Sequence, residues 1–104
     1  MTQIVIIAYK PKQDKEEILV KLINSHWAIL RQEGLVTERK PTIMVANNGT
    51  IVEVFEWLSE KAVQDAHHNS KVLEMWKDFF EVCDVLPLNK LEESASYFAT
   101  FKPF

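Results

Sequence analysis

Glycine is almost missing from this chain: Gly34 and Gly49 are the only two in 104 residues. A phosphate-cradling loop, a dinucleotide fingerprint or a nucleophile elbow each needs glycines at several fixed positions, so all three are excluded. Cysteine occurs once, at Cys83. No internal disulfide can form, and a reducing, cytoplasmic setting is the expectation. No apolar run approaches the roughly 20 residues of a membrane span. The opening MTQIVIIAYK lacks a basic lead and a small-residue cleavage site, so no signal peptide is expected. Positive charge is not in excess either: 12 Lys and Arg stand against 15 Asp and Glu, a net charge of −3. Neither nucleic acid nor an anionic membrane is an expected partner. What is present, 47% apolar and 26% charged residues with no low-complexity tract, describes one globular domain over residues 1–104.

Ile4 to Tyr9 is a β-branched run that reads as a strand, and it is apolar at both parities, so both of its faces should be buried. Asp14 stands three residues before Glu17, the spacing of a capping box. A helix from about Lys15 to Glu33 follows, stopped by Gly34 in the left-handed conformation. Leu19, Leu22, Ile23, Ile29 and Leu30 fall on one side of it, with His26 in the middle of that face and Trp27 at its edge. His26 must be buried or must line a cavity.

Asn48-Gly49 is a strong hairpin signal. As a two-residue turn it sets Val45 opposite Val52, Met44 opposite Glu53 and Ile43 opposite Val54. One face of the hairpin then carries Ile43, Val45, Val52 and Val54. The other carries Thr42, Met44, Ile51, Glu53, Phe55 and Trp57. Both are largely apolar, yet one layer of helices covers only one face of a sheet. A second copy of the chain is the simplest cover for the other, which makes a homodimer the expected assembly.

Ser59 suits an N-cap and Glu60 the positive end of the next helix. Val63, Ala66 and His67 should point inward and His68 outward, and Asn69-Ser70 can break or re-cap the helix. Beyond it Val72, Leu73, Trp76, Phe79, Phe80 and Cys83 form an apolar stripe. Leu86 to Leu91 reads as an irregular connector, and Ser96 to Phe101 as the last strand. The order is β-α-β-β-α-β, an α+β chain of ferredoxin-like plan. It predicts a four-stranded antiparallel sheet, its first and third strands central, with two helices on one face.

His26 and His67 would converge if both helices lie on one sheet face, and they are the candidate catalytic pair. Against this stands the plain reading of each as a satisfied core histidine. Trp27, Trp57, Trp76 and Phe79 are core residues or the walls of a flat apolar cavity. Glu53 interrupts an apolar central strand. Burial would raise its pKa and suit it to general-base work, while Arg39 or a lysine from the second copy is the plain structural partner. Metal binding is not expected: adjacent helical residues such as His67 and His68 diverge by about 100°, and no carboxylate sits at a ligand spacing.

The pattern VEVFEW-x-S-x-x-A-V-x-x-A-H, with V-L-x-x-W beginning about five residues later, resembles the dimeric α+β barrel superfamily. Within it the likeness is to the antibiotic-biosynthesis-monooxygenase-like branch and its uncharacterised relatives. It covers nearly the whole chain and speaks to fold more than to activity. The resemblance implies two sheets packed face to face in a dimer, with a ligand held between sheet and helices. Haem-degrading members carry an asparagine on the first strand and a tryptophan and a histidine in the second helix. Here that strand has no asparagine, and Ala66 and Lys77 stand at the helix positions, so haem breakdown is disfavoured. The expected activity is that of a cofactor-independent monooxygenase on a small aromatic or conjugated molecule, with His67 or His26 abstracting a proton. No cofactor is then required. The alternative is a non-catalytic or stress-related dimer that binds a small apolar ligand.

Overall fold

A computed structural model describes residues 1–104. Five strands and three helices follow one another as β1 (Gln3–Pro11), α1 (Glu16–Gln32), β2 (Thr42–Val45), β3 (Ile51–Trp57), α2 (Glu60–Ala66), α3 (Ser70–Val82), β4 (Cys83–Leu86) and β5 (Lys102–Pro103). The strands make one antiparallel sheet in the order β4-β1-β3-β2-β5. Strands β1 and β3 are central, as the sequence predicts, and the arrangement is compatible with a ferredoxin-like fold. The sheet has five strands rather than four.

The hairpin register differs from the expected one by a single residue. Ala46 N–H donates to Thr50 O at 2.8 Å, and Gly49 N–H donates to Ala46 O at 3.0 Å. Asn47, Asn48 and Gly49 therefore form a three-residue loop, with Gly49 at φ 88°. A turn followed by a left-handed glycine is the usual geometry of that loop length. Met44 pairs with Val52 and Ile43 with Glu53. A slip of one residue moves every side chain of β2 to the other face. Ile43 and Val45 thus join Ile51, Glu53, Phe55 and Trp57 under the helices, with Val5, Ile7 and Tyr9 of β1 beside them. Met44 lies on the opposite face from Glu53, with Val52, Ala8 and Ala46.

The capping box at Asp14 is not formed. Lys12 to Lys15 closes a turn instead, with Lys15 N–H donating to Lys12 O at 3.0 Å and Asp14 at φ 62°. Aspartate is one of the few residues that tolerates that conformation. The helix end is as expected: Gly34 takes φ 73°, its N–H reaches Arg31 O, and Leu35 N–H reaches Leu30 O, a Schellman motif with Leu30 and Leu35 both buried. The second helical segment is two helices. Ser59 caps α2 by accepting from Ala62 N–H, and Asn69 caps α3 by accepting from Lys71 and Val72. Starting afresh at Ser70, α3 buries Val72, Met75, Phe79 and Val82. Leu73, expected in the stripe, faces outward, Phe80 is largely exposed at the edge of that layer, and Cys83 is already the first residue of β4.

Ser96 to Phe101 is not a strand. The chain leaves α3 directly into β4, which takes the free edge of β1 until Pro87. It then turns under the sheet through two short 3₁₀ turns, Leu88–Lys90 and Glu92–Ala95. Leu91 packs there against Ala8, Ala46 and Val52, and the Glu93 carboxylate accepts from Asn47 N–H at 2.8 Å. The main core lies on the other side, between the sheet and the helices.

Candidate functional site

An apolar cavity of about 270 Å³ lies between sheet and helices. Ile7, Tyr9, Phe55 and Trp57 form its floor, because strand alternation points them all toward the helices. His26 comes from α1, His67 from the end of α2, and Trp76, Phe79 and Phe80 from α3. Val85 of β4 completes the wall. Phe80 and Val85 are 62% and 47% exposed, so the mouth opens between α3 and the edge strand.

A chain of hydrogen bonds runs beneath this cavity. Trp76 Nε1–H donates to His26 Nε2 at 3.1 Å. Indole is a donor only, so Nε2 carries the lone pair and the proton resides on Nδ1. Nδ1–H in turn donates to Glu53 Oε1 at 2.8 Å, and the Tyr9 hydroxyl donates to the same oxygen at 2.9 Å. His26 and Glu53 are 1% and 0% exposed, and Glu53 Oε2 is buried with no partner. Burial first, and then the charge and hydrogen bond of Glu53, push the Tyr9 phenol well above its ordinary pKa, so it remains a donor. The result is an imidazole held in one tautomer by a carboxylate, its basic nitrogen facing a cavity wall. Such a unit can accept a proton from a bound molecule once the indole gives way.

The expected convergence of His26 and His67 is found, with a difference. His67 is exposed rather than buried, as is His68, because α2 ends at Ala66 and His67 is its C-cap. The His67 ring still lines the cavity, packed edge-on to Trp76 with ring centroids 5.2 Å apart. Its Nδ1–H donates to Val63 O at 2.8 Å, which leaves Nε2 as an acceptor. Trp57, Trp76 and Phe79 also line the cavity. Trp27 does not: it is half-buried against the core, with a buried Nε1 that has no partner. Glu53 has no Arg39 beside it. Arg39 lies across the sheet with Glu56, whose carboxyl is held below its usual value by the Thr37 hydroxyl, then Thr2, with Arg39 adding less.

No protein-family model, curated protein or solved structure matches this chain. The site therefore stands on its own geometry. Tyr9 is the member that sequence reading misses. Its signal is parity: it shares a sheet face with Ile7, the residue paired with Glu53. No group of three or more His, Cys, Asp or Glu side chains is placed to hold a metal ion. Cys83 is buried, and burial, with Asp84 adjacent, pushes its thiol up to about 11. No helix is long and apolar enough to cross a membrane.

Proposed function

We propose that the protein is a small enzyme of the cofactor-independent monooxygenase type, with His26 as its base. The reading is carried by the Glu53–His26 pair at the cavity wall. A general base needs a lone pair that a bound molecule can reach and a partner that fixes the ring. His26 has both: its ring lines the cavity, and Nδ1–H is held by the buried Glu53 carboxylate.

The substrate is a flat aromatic or conjugated molecule with an acidic CH₂ flanked by rings or carbonyls. The bound ring pushes the Trp76 indole off His26 Nε2, and the freed lone pair takes a proton from the CH₂ carbon. The carbanion passes one electron to dioxygen, and the radical pair combines to a peroxide anion. His26 returns the proton, and loss of water leaves a carbonyl: R₂CH₂ + O₂ gives R₂C=O + H₂O. Glu53 offsets the positive charge on His26 during the step, and Tyr9 holds Glu53. The strand order and the single helical face support the resemblance to the dimeric α+β barrel superfamily. Ile4 and Ile6, 59% and 46% exposed on the face away from the helices, support a dimer joined through that face.

Anthrone is the test substrate. The protein should consume one dioxygen per anthraquinone formed, and His26→Ala should lower the rate by about 10²–10⁴. One observation favours the second reading, a binding protein without chemistry: the indole already occupies Nε2. A thermal shift with anthrone but no oxygen uptake would decide for binding.

A further inference from the structure

The strap that crosses the open sheet face, from Leu88 to Phe101, carries two aromatic side chains into solvent. Tyr97 is 104% and Phe98 is 89% exposed. The strap is held on both sides of them, by Leu91 packed on Val52 with Glu93 bonded to Asn47, and by β5 paired with β2. Two adjacent aromatics displayed from an anchored loop are unusual on a monomer, because each buries about 150–250 Å² when it finds a partner.

Beneath the same strap lies a second apolar cavity, of about 160 Å³, walled by Ile6, Met44, Val52, Leu91 and Phe101 among others. Its one hydroxyl, Ser94 Oγ–H, already donates to Leu91 O at 2.7 Å. An apolar cavity of about 150 Å³ accepts a benzene ring. This one therefore has room for a single phenyl group and no hydrogen bond to offer anything polar. Phe98 projects outward and leaves it unfilled.

A projecting phenyl ring and a phenyl-sized cavity thus occupy one face of one chain. The geometry points to arm exchange between two copies: Phe98 of each seats in the cavity under the strap of the other, and Tyr97 covers the Ile4–Ile6 strip beside it. A two-fold pairing satisfies both contacts at once, because each surface carries both halves. Tyr97, Phe98, Ile4 and Ile6 supply roughly 500 Å² of apolar surface per copy, or about 1,000 Å² in total. That already reaches the lower limit for a specific interface before any neighbour is counted. The inference rests on the open sheet face being the contact between copies. It adds which side chains make that contact and where they go.

Sedimentation equilibrium and native mass spectrometry of the full chain test it. The wild type should be a dimer, and Phe98→Ser should weaken it about tenfold or more. Leu73→Ser, an exposed apolar change in the helical layer, should leave the dimer alone. Ala99→Phe fills the cavity from its own side and should also weaken the homodimer. Mixing Phe98→Ser with Ala99→Phe restores one ring in one cavity, so heterodimers should outnumber both homodimers. General destabilisation cannot produce that preference. A wild-type monomer would overturn both the arm exchange and the dimer. A Phe98→Ser dimer of wild-type strength would overturn the arm exchange alone, as would a mixture without heterodimer preference. If Ala99→Phe fails to fold, by circular dichroism, the Phe98→Ser result decides.

Discussion

Glu53 accepts two hydrogen bonds through one oxygen and none through the other, in the middle of a central strand. Removing it orphans two buried donors at once. Glu53→Ala should therefore cost about 3 kcal/mol or more in urea unfolding, and Glu53→Gln, which keeps a carbonyl for both, about half as much. A gentler loss for the alanine variant would mean that the pair contributes little to the fold. Cys83 makes a prediction about pH. Its thiol titrates at about 11 in the folded chain, above its unfolded value, so the contribution to stability is complete below the unfolded pKa. That contribution should drain away as pH rises toward 11. Cys83→Ala should flatten this alkaline limb, and the native thiol should resist a disulfide reagent at pH 8 until denaturant is added. His26 and Glu53 could be picked from sequence because each is a polar residue on an otherwise apolar face. The bond between them could not, since it depends on how α1 lies across β3.

Most elements are legible in the chain because each carries local punctuation. Gly34 ends α1, Ser59 begins α2, and Asn69 restarts the helix as α3. Asn69→Ala removes an acceptor shared by two amides and should cost about 1–2 kcal/mol. The hairpin misled for a physical reason. Asn48-Gly49 fits both a two-residue turn and the end of a three-residue one, and only the pairing of Ala46 with Thr50 decides between them. Gly49→Ala should cost about 1 kcal/mol in either case, since φ is 88°. A register test is more direct: a disulfide joining cysteines at Met44 and Val52, which are paired, should form readily. Oxidation of a Met44–Glu53 cysteine pair, on opposite faces, should not.

At the scale of the molecule, the double-sided apolar strands point to a covered second face but not to all of its covers. Part is shielded by the chain's own C-terminal strap, which reads as a strand in sequence. Its β-rich Ser96–Phe101 stretch finds both sheet edges taken, by Cys83–Leu86 and by Lys102–Pro103. Leu91 is the anchor, 3% exposed. Leu91→Ala should lower stability by about 2–4 kcal/mol, measured by urea unfolding at a fixed protein concentration. A loss well under 1 kcal/mol would mean that the strap lies loosely on the sheet.

The indole of Trp76 behaves as a competitor that the protein carries with it. Any ligand donor that reaches His26 Nε2 exchanges one hydrogen bond for another, so that contact adds selectivity and almost no affinity. Affinity must then come from flat apolar area. A weak binder and a strong one should differ in ring size more than in the number of hydroxyls. Trp76→Phe removes the competitor, so hydroxyl-bearing ligands should tighten several-fold in titration calorimetry while their hydroxyl-free analogues gain nothing.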